Sequence, residues 1–121
     1  MTVKEVLKMN APKSHGEWSK FLQFFTEQNR GRPTRLGVFE RNGDSVIDYW
    51  IESGLVFIGV DIDPSTERVP IQILIGEMQH VVSEPQQIKF ILSRSGDEDG
   101  IDITDSNGRT TVLRFEVANT D

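Results

Sequence analysis

Two apolar, β-branched runs between Gly54 and Gly76 constrain this chain more than any other feature. Leu55-Val56-Phe57-Ile58-Gly59-Val60-Asp61-Ile62 is followed by a polar break from Asp63 to Arg68, and then by Val69-Pro70-Ile71-Gln72-Ile73-Leu74-Ile75. Runs of this length and composition predict paired strands at the centre of a sheet. Apolar residues on both faces predict cover on both sides. Pro70 has no N–H to give to a ladder, so its strand starts there or runs along an edge.

The surrounding sequence supplies one helix and more strands. Ser14 and Glu17 stand three apart as a capping box, and Trp18, Phe21, Leu22 and Phe25 then form one apolar stripe at i, i+3, i+4 and i+7. Asn29 or Gly31 ends this helix and Pro33 forbids its continuation. Phe24 lies off the stripe, so the helix either sinks deep into the sheet or meets another subunit.

From Thr34 the period changes to two. Leu36 to Arg41 and Val46 to Ile51 flank Asn42-Gly43, a hairpin signal. Met78 to Val82, Gln87 to Ser93, Ile101 to Thr104 and Thr110 to Val117 complete a series of about eight short strands, the last two joined by Asp105-Ser106-Asn107-Gly108. Tight connections make sequential neighbours antiparallel, because parallel pairing needs long crossovers. The expected architecture is α+β: a single domain over residues 14–121, with one N-terminal amphipathic helix on a curled antiparallel meander, as a partial barrel or two layers. Residues 1–13 hold only Val3, Val6 and Leu7 as a periodic set before Asn10-Ala11-Pro12, and read as an arm that serves contacts rather than chemistry.

Composition excludes several chemistries. The 121 residues contain no cysteine, which removes disulfides, thiolate nucleophiles, Fe–S clusters and cysteine-ligated zinc. The opening Met1 to Val6 lacks the apolar run of a signal peptide, and the longest apolar stretch is strand-sized. A soluble, cytoplasmic protein with no membrane contact is expected. Residues 1–35 carry a charge of +4 and residues 36–121 carry −10, within a net charge of −6. An acidic sheet repels phosphate backbones, so nucleic acid is an unfavourable partner.

Candidate sites are few. Asp97, Glu98, Asp99, Asp102 and Asp105 offer oxygen ligands, but their spacing is not that of an EF-hand, and a solvated acidic hairpin accounts for them. His80 with Glu77 and Asp61 or Asp63 would form a mixed N/O metal or acid–base site if their strands converged. The only other histidine, His15, sits beside the helix cap. No nucleophile elbow, P-loop or dinucleotide turn is present, and no cofactor is implied. Arg30, Arg32 and Arg35 cluster at the helix C-terminus, where cations complement the dipole. Tyr49 and Trp50, adjacent on a strand, must point to opposite faces.

The segments Gly59-Val60-Asp61-Ile62-Asp63, Ile71 to Gly76 with His80 following, and Asp105-Ser106-Asn107-Gly108 leading to Thr111-Val112-Leu113-Arg114-Phe115 resemble a family of small bacterial proteins catalogued only as a domain of unknown function. The likeness covers roughly Ala11 to Phe115, through strand and turn patterns, and implies a self-contained bacterial domain; no established activity, substrate or cofactor comes with it.

The residues together favour a non-catalytic interaction or binding module, homo-oligomeric, whose contact patch joins Phe24 to Tyr49 or Trp50 with Arg30, Arg32 and Arg35 at its rim. The alternatives are a carboxylate or His80-assisted or metal-dependent enzyme, and a small-ligand binder with an apolar cavity between helix and curled sheet.

Overall fold

A computed structural model describes residues 4–10, 16–42, 45–63, 69–93 and 99–116. The elements are β1 (Lys4–Asn10), α1 (Gly16–Asn29), β2 (Pro33–Asn42), β3 (Ser45–Ile62), β4 (Ile71–Ile75), β5 (Met78–Val82), β6 (Pro85–Ser93), β7 (Gly100–Asp105) and β8 (Thr110–Phe115). The fold is α+β, one helix with an eight-stranded antiparallel sheet that stays open, in the order β1-β6-β7-β8-β2-β3-β4-β5.

This order departs from a simple meander at two places. β2 pairs with β8, opposing Leu36 to Leu113 and Val38 to Thr111, and β1 pairs with β6, opposing Leu7 to Phe90. The segment expected as an arm is, over Lys4–Asn10, the edge strand beyond β6. The strands expected at Val46–Ile51 and Leu55–Ile62 are one 18-residue strand, β3. Its ladders skip three residues: Ile51 and Gly54 opposite β2, and Ile58 opposite β4. Gly54 has φ +85°, so the glycine forms a bulge and lets the strand bend where a break was expected.

Strand order and loop length together force the sheet to curl. In a flat sheet β5 and β6 would lie six strand positions, about 29 Å, apart. Only Ser83 and Glu84 join them, and three Cα–Cα steps reach at most about 11 Å. Contacts across the closing seam agree: His80 Nε2 of β5 lies 3.4 Å from Thr111 Oγ1 of β8, and Ser106 N–H donates to the Glu84 carbonyl at 2.9 Å.

The core lies inside the curl. Ile71, Ile73 and Ile75 of β4 alternate with more exposed Gln72 and Leu74, and pack with Leu36, Phe57, Ile88, Ile101, Ile103, Leu113 and Phe115. The helix adds Trp18, Leu22 and Phe25. Phe25 sits centrally among rings, 5.8 Å from Phe57 and 5.5 Å from both Phe90 and Phe115. The buried helical face also includes Thr26 and Asn29, whereas Phe21 of the expected stripe is 39% exposed. Trp18 is buried with its indole N–H unbonded. Ser14 of the expected capping box lies outside the described residues.

What binds the helix to the sheet is a bare strand edge. β2 covers β3 only as far as Val56, and β4 pairs with the other side from Phe57 onward. The helix end fills the gap. Gly31 N–H donates to the Phe57 carbonyl and Phe57 N–H to the Arg32 carbonyl, both at 2.9 Å. Arg30 Nε reaches the Ile58 carbonyl at 3.3 Å. Thr26 Oγ1 donates to the Val60 carbonyl at 3.1 Å and accepts the Val60 N–H at 3.0 Å, using the dual capacity of a hydroxyl. Gly59 allows this approach, since a Cβ there would stand 3.2 Å from Thr26 Cγ2.

Two stability predictions follow from these contacts. Thr26→Val keeps the shape but leaves a buried N–H and C=O unpaired, and should lower unfolding free energy by about 2–4 kcal/mol in urea titrations. Thr26→Ser should stay within about 1 kcal/mol of the parent. Gly100→Ala would set a Cβ 1.9 Å from the Leu113 carbonyl oxygen, with Gly100 paired to both Ile91 and Arg114. It should cost more than any surface substitution, read as a loss of soluble folded protein or a large drop in melting temperature.

Candidate functional site

A concavity lies beside the helix. A cavity of about 450 Å³ is lined by Phe21, Phe24, Phe25, Gln28, Asn29, Arg32, Phe90 and Asp99. One wall is helical, because positions 21, 24, 25 and 28 fall within two turns and face the same flank. The opposite wall is Phe90 of β6, whose ring is 6.1 Å from that of Phe21. Phe24 is 61% exposed.

The polar end of this cavity is internally organised. Asn29 donates its amide to the Phe25 carbonyl at 2.9 Å and accepts from Arg32 Nη1 through Oδ1 at 2.9 Å. The Arg32 guanidinium lies 4.6 Å over the Phe115 ring and its Nη1 is 3.9 Å from Asp99 Oδ2. Arg32 and Asp99 offset each other's charge at this end.

A second apolar feature occupies the outer face of the sheet. Trp50, Ile51, Val56 and Ile58 on β3, Leu74 on β4 and Val81 on β5 are all exposed. At one end Trp50 stacks edge-on to Phe39 at 5.9 Å, with Arg35 4.7 Å over its ring. At the other, the register opposes Leu74 to Gln79 and Gln72 to Val81, so Leu74 and Val81 are diagonal neighbours on one face.

The expected contact patch therefore divides. Phe24 and Arg32 line the helix-side cavity, while Trp50 and Arg35 meet on the outer face. Arg30 turns to the Ile58 carbonyl. The Tyr49 side chain lies outside the described ones. The three arginines thus serve three places, and their spacing in sequence gave no sign of it.

Among the described residues, the expected metal and acid–base side chains do not assemble. Asp97 and Glu98 lie outside the described residues. Asp102 is paired with Arg114 at 2.7 Å, Asp99 lies toward Arg32, and Asp105 caps its own turn by accepting from Asn107 N at 2.9 Å and Arg109 N at 3.0 Å. Asp61 accepts the Ile62 N–H at 2.7 Å from an exposed position. Glu77 is exposed in the β4–β5 turn, whereas His80 faces inward toward Thr111. Among the described residues no three of His, Cys, Asp or Glu are grouped so as to hold a metal ion.

Sequence reasoning did not single out Phe21, Phe90 or Asn29 for the cavity, or Val56, Ile58, Leu74 and Val81 for the outer face. Leu74 and Val81 were findable, since each takes the fourth position of a five-residue alternating strand, out of phase with its buried residues. Ile58 was findable in the same way, from its alternation with buried Phe57.

His80 sits in a small polar recess of about 150 Å³ with Glu84, Asp105, Asn107, Arg109 and Thr111 among its walls. Burial, and secondarily the Arg109 charge, lower its pKa below the ordinary 6.5. The folded state therefore holds the proton less well than the unfolded chain. Stability from this residue is complete above pH 6.5 and declines as pH falls from there toward the lowered folded pKa. Urea midpoints measured across that window should fall less steeply for His80→Gln than for the parent. Among the described residues no helix is long and apolar enough to cross a membrane. No family model, curated protein or solved structure matches this chain, so its function is read from the two apolar surfaces themselves.

Proposed function

We propose that this protein is a non-catalytic interaction module that self-associates through the outer face of β3, β4 and β5. One observation carries this reading: six of the eight large apolar side chains exposed on the described surface, Trp50, Ile51, Val56, Ile58, Leu74 and Val81, fall on three adjacent strands. A concentration of exposed apolar side chains on neighbouring strands marks a contact site. Trp50 is the natural anchor, a large ring held by Phe39 and Arg35 and so pre-ordered before contact.

Chemistry is the weaker reading, because Glu77, His80 and Asp61 do not converge and each of the latter two already has a structural partner. A nucleic-acid partner is disfavoured by the net charge of −6 and by the dispersal of Arg30, Arg32 and Arg35. The proposal keeps the soluble, cytoplasmic, bacterial setting expected from the sequence.

Sedimentation velocity over micromolar to submillimolar protein supplies the test. The parent should shift from monomer toward dimer with concentration, and Leu74→Lys and Val81→Lys should remain monomeric with unchanged circular dichroism. A parent that sediments as a monomer throughout, or lysine variants that associate as the parent does, would overturn the proposal.

A further inference from the structure

We infer that the cavity between α1 and β6 is a binding site for an uncharged, aromatic small molecule. The inference stands apart from the outer-face contact, since it uses different residues on a different element.

Three observations lead to the ligand class. The first is size. About 450 Å³ falls within the range of small-molecule sites.

The second is the lining. Phe21, Phe24, Phe25 and Phe90 contribute four rings, and Phe21–Phe90 and Phe25–Phe90 are tilted at 39° and 57° with centroids 6.1 and 5.5 Å apart. Tilted rings around a space present both edges and faces, a geometry that receives a further ring. Phe24 at 61% and Phe21 at 39% exposure stand in water on a helix whose opposite face is fully packed. A flat apolar ligand would cover them.

The third is charge. Among the described residues of the lining the one cation, Arg32, and the one anion, Asp99, lie 3.9 Å apart, and Arg32 also bonds Asn29 and stacks on Phe115. An anionic ligand entering here would meet Asp99, and a cationic one Arg32. A neutral ligand meets neither penalty, and amide groups such as that of Gln28 can satisfy a hydroxyl, amine or carbonyl on it.

N-phenyl-1-naphthylamine, a neutral probe that joins a naphthyl to a phenyl group and fluoresces in apolar surroundings, tests this on the full chain. It should bind saturably at one equivalent with a blue shift, and the anionic analogue 8-anilinonaphthalene-1-sulfonate should bind more weakly. Phe24→Ala, an exposed position, should weaken the neutral probe about fivefold or more. Gln28→Trp, which fills the space from an exposed position one turn further along the same helical wall, should do the same, while Leu74→Lys on the outer face should leave binding unchanged. Circular dichroism melts confirm that each variant is folded. Absence of saturable binding would overturn the inference, as would binding by both cavity variants as tight as the parent's or stronger binding of the anionic analogue. Probe affinity that falls as protein concentration rises would assign the cavity to a second copy of the chain, and would overturn it equally.

Discussion

Everything about the placement of the helix depends on the unpaired edge of β3 between Phe57 and Val60. A buried strand edge cannot be left bare, because each unbonded backbone group costs about 1–3 kcal/mol. Most sheets answer with another strand. Here the end of α1 answers instead: backbone at Gly31 and Arg32, the Arg30 guanidinium on Ile58, and the Thr26 hydroxyl taking both groups of Val60. Beyond them Asp61 bonds the Ile62 N–H from its own side chain. The helix therefore does two jobs, filling the curl with Trp18, Leu22 and Phe25 and completing the hydrogen bonding of the sheet.

That anchorage explains why a cavity persists at the helix flank. The contacts fix the helix by its C-terminal half, against β3. Phe21 and Phe24 lie on the flank away from that anchorage, toward Phe90. A helix held only by apolar packing could roll to bury them. One pinned by directional bonds at Thr26 and Arg30 cannot do so without stranding the polar groups of β3, and two exposed phenyl groups are the smaller cost.

The fold class was legible in the sequence because period and turn chemistry are local. The helix stripe, the switch to a period of two at Thr34 and the Asp105 to Gly108 turn all appear where the residues place them. The strand order was not legible, because pairing β2 with β8 and β1 with β6 depends on contacts between residues far apart in the chain. Nor was the continuity of β3, since Gly54 reads equally as a break and as a bulge until φ is known. Thr26 carried no signal at all, being a polar residue within a helix whose role is set by an edge thirty-four positions away. The candidate site suffered for the same reason. Phe24 and Trp50 were picked out individually as unplaced aromatics, but only the curl assigns them to different surfaces.

That separation bears on how one small domain can present two apolar surfaces without them being one. The outer face belongs to strands whose inner face is core: Leu74 alternates with Ile73 and Ile75, and Val81 adjoins Val82. Its exposure is set by strand parity, so no rotation of a side chain can hide it, and only a covering layer can. The cavity is set instead by where the helix is pinned, and a ligand or a small shift of the Phe21 and Phe24 side chains changes its exposure. A protein–protein contact needs the first kind of surface, invariant and ready. A reversible small-molecule site is compatible with the second. The two apolar features are thus products of different constraints, and a substitution on either one leaves the residues that define the other in place.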